Sequence, residues 1–273
     1  IAISELLGNE LSRNQVKDLI KSGDILINDE WCKSKDKVCH NDQIDVSIPD
    51  AEVSSWTAED INLDIIFACD DYAIINKPAG LVMHPGAGVK SGTLANAVAK
   101  IYPEVLSLPR NGIVHRLDKD TSGLVVIARK NGFRNHIAEQ FQNREVEKKY
   151  LAVIKGEIIG AQIIDKPIAR DRQNRTRMKV DESGREAISE AISLESFGGY
   201  SVVEVKIETG RTHQIRVHLS SNKTPIIGDK AYGSGSQLIK NLSNNLKDKI
   251  LSFPRQALHA YQLAFFNFYG SPY

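Results

Sequence analysis

Residues 115–128 read HRLDKDTSGLVVIA: a charged stretch, a Ser-Gly pair, and then five apolar residues in a row. The apolar run is rich in β-branched residues and predicts a strand, while Ser122-Gly123 marks the turn that feeds it. Two carboxylates, Asp118 and Asp120, are thereby placed at the entrance to a strand beside His115 and Arg116. Working outward, LDIIFA (63–68), YAIIN (72–76), YLAVIKG (150–156) and YSVVEVKIE (200–208) are further strand candidates. TLANAVAKIY (93–102) puts Leu94, Val98 and Ile101 at helical spacing and stops at Pro103; FRNHIAEQF (133–141) does the same with Phe133, Ile137 and Phe141. Strands in uneven groups with helices between some of them predict an α+β domain over residues 63–273, without regular βαβ alternation.

Residues 1–50 read as a separate small module. SRNQVKDLIKSGD (12–24) gathers Val16, Leu19 and Ile20 on one helical face, with Ser12 as N-cap and Gly23 as the stop. The other face carries Arg13, Lys17 and Lys21; the plain reading of those cations is a solvated surface. ILINDEW (25–31) and DQIDVSI (42–48) predict two strands, and the polar residues 51–62 a linker.

Of 273 residues, 41% are hydrophobic and 25% charged, as in a globular chain with a sizeable core. Lys and Arg total 35 against 34 Asp and Glu, so a nucleic-acid surface has to come from local clustering. Three cysteines, Cys32, Cys39 and Cys69, are an odd number without CxxC spacing, which points away from a disulfide framework and toward a reducing cytoplasm. Cys39-His40 lacks a second ligand pair, so no metal site is expected. No apolar run reaches membrane-span length. The chain opens on Ile1 and closes on FNFYGSPY, and both ends read as truncated.

Several familiar motifs fail. HPGAGVKSGT (84–93) lacks the Gly-Lys-Ser/Thr of a phosphate loop and the third glycine of a dinucleotide fingerprint; Gly86, Gly88 and Gly92 read as turn residues. HRLD departs from the kinase HRD loop through Leu117, and no GxSxG is present. Two polar segments remain. GRTHQIRVHL (210–219) reads with period two as a strand placing Thr212, Gln214, Arg216 and His218 on one face and Arg211, His213, Ile215 and Val217 on the other. Both histidines read as hydrogen-bonded structural groups. IARDRQNRTRMK (168–179) carries Arg170, Arg172, Arg175, Arg177 and Lys179 against the single acid Asp171, and reads as an exposed arm suited to gripping phosphates.

Taken together these stretches resemble the RluA family of pseudouridine synthases. HRLDKDTSG is similar to the family's HRLDxxTSG loop, INKPAGLVMHPG (75–86) to its NKPxGLxxHP motif, and EKKYLAVIKG (147–156) to its Lys-x-Tyr-x-Ala segment. GRTHQIRVHL, GDKAYG (228–233) and RQALHA (255–260) complete the pattern, in order, across nearly all of residues 63–273. The N-terminal module resembles an S4-type RNA-binding domain of α/β make-up, although the usual opening Arg-Leu-Asp is missing. Within the family the D-type subgroup is most similar.

The resemblance implies the pseudouridine synthase fold: a mixed, largely antiparallel sheet with flanking helices around a catalytic cleft. It implies Asp118 as the essential acid, Tyr150 as a uracil-stacking residue able to help remove the C5 proton, and Arg216 as the partner of Asp118, with Arg116 the alternative. Ile215 would pack on the other face of the base. Asp120 has no matching role and reads as a turn residue. The reaction breaks the C1′–N1 bond of a uridine, turns the uracil and rejoins it through C5, with no cofactor. Asp118 attacks C1′ or deprotonates C2′; the residues do not choose. A glycosidase needs two carboxylates, whereas here the uracil is reused and one ionised acid, favoured by an adjacent cation, suffices. The expected substrate is a flipped-out uridine of large-subunit (23S) ribosomal RNA, free or in the ribosomal particle, with helix 69 the target associated with the D-type subgroup. His115, Arg116, Arg211 and the 170–179 arm would hold the opened RNA, and the N-terminal module a distant segment. A monomer in the cytoplasm is expected. The competing readings are the same chemistry on another ribosomal or transfer RNA, a non-catalytic RNA-binding assembly factor, and a hydrolase releasing uracil.

Overall fold

The computed structural model describes residues 3, 6, 13–47, 56–86, 88–233 and 242–266. The N-terminal unit pairs one helix with a small sheet: α1 (Arg13–Ser22), β1 (Ile25–Ile27), β2 (Glu30–Trp31) and β3 (Ile44–Val46), with β1 central and both neighbours antiparallel. Val16 and Ile20 of α1 pack with Ile25 and Cys32 in a core of their own. Gly23 ends the helix at φ 86°, a left-handed position that favours glycine. Ser12 and residues 51–55 of the 51–62 stretch lie outside the described residues. Lys17 and Lys21 are exposed on α1.

The larger unit is built on one eight-stranded sheet. Its strands are β4 (Asp64–Ala68), β5 (Tyr72–Lys77), β6 (Ser122–Ala128), β7 (Glu147–Lys155), β8 (Ala161–Asp165), β11 (Ile188–Phe197), β12 (Tyr200–Ile207) and β13 (Leu258–Ala264). A separate two-stranded hairpin is formed by β9 (Ile168–Arg170) and β10 (Met178–Val180). The order across the large sheet is β4-β5-β6-β13-β7-β12-β11-β8, antiparallel except where β13 runs parallel to β6. The strands expected at 63–68, 72–76, 124–128, 150–156 and 200–208 are present, as are helices α2 (Leu94–Ile101) and α3 (Asn131–Asn143). The five-residue apolar run of β6 has a simple cause: both its faces are covered. Val125 and Ile127 join Leu94 and Val98 of α2, while Val126 and Ala128 join Phe133 and Ile137 of α3.

The last strand, β13, enters between β6 and β7 and so joins the two halves of the sheet. It pairs with β6 at Gly123, where φ is 119° and a Cβ atom would stand 2.1 Å from the Ala260 carbonyl oxygen. The Ser-Gly pair is thus required by the seam between the two halves as well as by the turn.

The strand reading of residues 210–219 is corrected. Gln214–Ser221 form a helix, α4, entered through His213 at φ 57°. Gln214, Ile215, Arg216, Val217, His218 and Leu219 are all buried, so no polar face gives the helix away. The 168–179 arm, expected to be a loop, is a hairpin whose exposed turn joins two three-residue strands. A short helix, α5 (Asn244–Leu251), precedes β13.

Candidate active site

The turn Asp118–Thr121 closes with a hydrogen bond from Thr121 N–H to Asp118 O at 3.1 Å, just before β6. Each of its backbone segments is held from outside. Lys77, at the end of β5, is fully buried and gives its three ammonium hydrogens to the carbonyls of Pro78, Leu81 and Lys119, at 2.8, 2.9 and 3.0 Å. Burial lowers its pKa to about 8. Gly80 N–H adds a second bond to the Lys119 carbonyl. From the other side Arg255 Nη1 donates to the Asp120 carbonyl and Arg255 Nη2 to Ser122 Oγ, both at 3.2 Å, and Gln256 Nε2 donates to Thr121 Oγ1. Asp120 is a turn residue, as expected. This is how the INKP and RQAL stretches, distant in sequence, both serve one loop.

Asp118 Oδ2 accepts from Arg216 Nη1 at 3.0 Å. The rest of that guanidinium is taken by Asp229, through Nε–Oδ2 at 2.7 Å and Nη2–Oδ1 at 3.0 Å. Asp229 Oδ1 also accepts from the backbone N–H groups of Ala231 and Tyr232. Burial alone would raise the Asp229 carboxyl; the bonds from Arg216 and those two amides outweigh it and hold its pKa below the ordinary range. Burial also works against the charge of Arg216, yet the two carboxylates leave its pKa raised. The Arg216 side chain lies over the Tyr232 ring, 5.0 Å from the centroid.

His213 Nε2 lies 3.9 Å from Asp118 Oδ1, and its Nδ1 meets Tyr232 Oη at 2.8 Å. Burial lowers the pKa of this imidazole against the pull of Asp118. His218 is a structural group bonded to Ser189 Oγ and the Lys166 carbonyl. Tyr232 Oη in turn accepts from Met178 N–H, and Arg177 lies 5.1 Å above its ring. The β9–β10 hairpin is therefore fastened to the residues around Asp118 at the turn-side end of β10.

A cleft of about 820 Å³ opens in front of Asp118. Tyr150 and Ile215, both buried, line it together with His115, Arg116, Arg144, Lys148, Arg211, His213 and Arg216. A second lobe of about 510 Å³ on the far side shares Asp118, Arg116, His213 and Arg216. Burial, then the charge of Asp118, raise the Tyr150 phenol well above its usual pKa. His115 Nε2 accepts from Val126 N–H at 3.0 Å, and its ring stacks on Phe141 at 4.9 Å. Burial and the nearby Lys148 push it down to about 3, so it enters the site as a neutral wall. Arg116 is exposed at the rim, and the Arg211 Nε donates to the Glu186 carbonyl.

The structure thus brings Asp118, Tyr150, Arg216, Ile215, His115, Arg116 and Arg211 to one cleft. Arg170, Arg172, Arg175 and Lys179 lie outside it on the hairpin, exposed, with Lys179 paired to Asp181 at 2.8 Å. Lys17 and Lys21 belong to the N-terminal unit; nothing is described of the Arg13 side chain. Sequence reasoning missed Lys77, Asp229, Tyr232 and Lys148, although all four stand inside the motifs that carry the resemblance. Among the described residues no cluster of three His, Cys, Asp or Glu is placed to hold a metal ion, and no helix is long and apolar enough to cross a membrane.

An acid held by an arginine at the floor of a cleft, opposite a buried tyrosine, is the arrangement the RluA resemblance requires, and comparison with known proteins agrees. Residues 71–221 match the model of the family described as RNA pseudouridylate synthase. The chain belongs to that family. It is an isomerase of the RluA type. It is 40% identical over 256 residues to the ribosomal large subunit pseudouridine synthase D of Xanthomonas campestris pv. campestris, covering 94% of this chain and 77% of the relative. The proteins of the same name from Vibrio parahaemolyticus (39% over 265 residues; 97% and 81% covered) and Escherichia coli K12 (38% over 259; 94% and 79%) are also similar. Among solved structures, human RNA pseudouridylate synthase domain containing 1 superimposes with a TM-score of 0.57 at 26% identity, covering 74% of this chain and 78% of that one. The human domain containing 4 protein gives 0.57 at 27%, covering 74% and 84%.

Proposed function

We propose that this enzyme converts uridine to pseudouridine in large-subunit ribosomal RNA, acting in the cytoplasm on free RNA or the assembling particle. The observation that carries the reading is the Asp118–Arg216–Asp229 chain facing Tyr150 across the cleft. It holds one carboxylate, with its counter-charge fixed from behind, where a sugar would lie if uracil stacked on Tyr150. The relatives at 38–40% identity supply the ribosomal target, and the D-type resemblance points to helix 69.

The uridine has to leave its helix to reach Asp118, at a cost of a few kcal/mol. The exposed Arg116 at the cleft rim and the cations of the β9–β10 hairpin are suited to stabilise the opened strand. Asp118 then attacks C1′ or removes the C2′ proton, the C1′–N1 bond breaks, and the uracil turns on Tyr150 before C5 rejoins the sugar. The N-terminal unit, with Lys17 and Lys21 on α1, serves as an S4-like contact to a second stretch of backbone. The test is to map pseudouridines in RNA from cells lacking the gene, with and without its return. Loss and recovery at large-subunit positions, helix 69 foremost, is expected; an unchanged ribosomal map would refute the target.

A further inference from the structure

Lys148 is a cleft residue with no part in the steps above. It stands two positions before Tyr150 on β7, a strand whose burial alternates strictly, so the two side chains share one face about 7 Å apart. It is only 8% exposed yet lines the cleft. Among the described residues no carboxylate pairs with its ammonium; what it touches is the Phe141 ring, 5.7 Å from Nζ. The other cleft cations differ. Arg110, Arg116 and Arg144 are exposed at the rim, and Arg144 is bound in two places by Glu186. Rim cations suit phosphates. A desolvated ammonium on the floor, beside the stacking tyrosine, suits a charge that appears only once the base is inside.

Resting on the reading of the site given above, we propose that Lys148 is a further catalytic residue, whose ammonium pairs with a carbonyl oxygen of the uracil as it becomes an anion. When the C1′–N1 bond breaks, its electron pair stays with N1 and spreads onto O2 and O4. The same pair is returned to C1′ through C5; the C5 proton then leaves to a base and N1 takes up a proton, so the isomerisation gains and loses none overall. Lys148 remains an ammonium throughout. A fixed cation in a water-poor site stabilises such a developing charge far more than it would in solution.

The groups facing Lys148 are the neutral His115 from the catalytic loop, Arg144 at the end of α3, Arg211 and Glu208 beyond β12, and Asp118 past Tyr150. Burial, then the charge of Arg144, bring Lys148 down to about 8. The required form is therefore lost as pH rises through that value.

The experiment measures single-turnover rate and Kd on a large-subunit RNA transcript for wild type, K148R, K148M and K148Q. K148M and K148Q should lose about 100-fold or more in rate with Kd changed by less than about threefold. K148R should keep most of the rate and lose less of it than wild type above about pH 8, since Lys77 titrates in both and Lys148 only in wild type. A rate equal to wild type in K148Q, or a raised Kd with the rate intact as for a phosphate contact, would overturn the assignment alone. A wild-type enzyme inactive on both the transcript and the large-subunit particle would overturn the target reading and this assignment with it.

Discussion

Arg216 is gripped by Asp229 through two hydrogen bonds, 2.7 and 3.0 Å long, and only its remaining Nη1 is turned to Asp118. A guanidinium has rigid fork geometry, so fixing two of its nitrogens aims the third. Asp229 thereby positions the acid without touching the substrate. D229N should lower the rate far more than it weakens RNA binding, and breaking this buried pair should cost about 3–5 kcal/mol of stability. Urea unfolding of the two proteins measures that cost. The pH dependence has a definite sign. The folded pKa of Asp229 is depressed, so its contribution is present above the unfolded value and is lost as pH falls through the folded one. The stability gap between wild type and D229N should therefore narrow below about pH 4.

Lys77 satisfies three carbonyls at once, one of them on the turn that carries Asp118. K77M removes all three bonds and leaves buried acceptors unpaired, at about 1–3 kcal/mol each where water cannot replace them. A marked drop in Tm is expected, with turnover reduced even in the fraction that remains folded. An unchanged Tm would mean that the turn holds its shape unaided.

At Gly123 any side chain collides with the Ala260 backbone. G123A should destabilise the protein by more than about 3 kcal/mol, since both the φ of 119° and the close approach oppose it. Thermal unfolding decides this directly.

The exposed Arg172 and Arg175 lie at the tip of the β9–β10 hairpin, outside the cleft. R172A/R175A should weaken RNA binding and flatten its dependence on log salt by up to about 0.9 for each phosphate no longer neutralised. The single-turnover rate at saturating enzyme should stay near that of wild type. A salt titration of Kd checks it.

Much of this was legible because it is local. The β6 run, the periodic faces of α2 and α3 and the Gly23 stop follow from short-range patterns. The acid and its arginine were legible through motifs. Helix α4 was not, because a helix buried all round carries no amphipathic period, and Ile215 and Val217 happen to alternate with polar neighbours as in a strand. Lys77, Asp229 and Lys148 were missed for a different reason. Their roles depend on partners 42, 13 and 7 residues away, at Lys119, Arg216 and Phe141, which only the folded chain brings together.

The central claim is tested most directly by D118N. Single-turnover assay on a large-subunit transcript, with Kd measured alongside, should find no pseudouridine above background while affinity stays within about threefold of wild type. Product formed at the wild-type rate would contradict the account, since the carboxylate would then have no part in breaking the C1′–N1 bond.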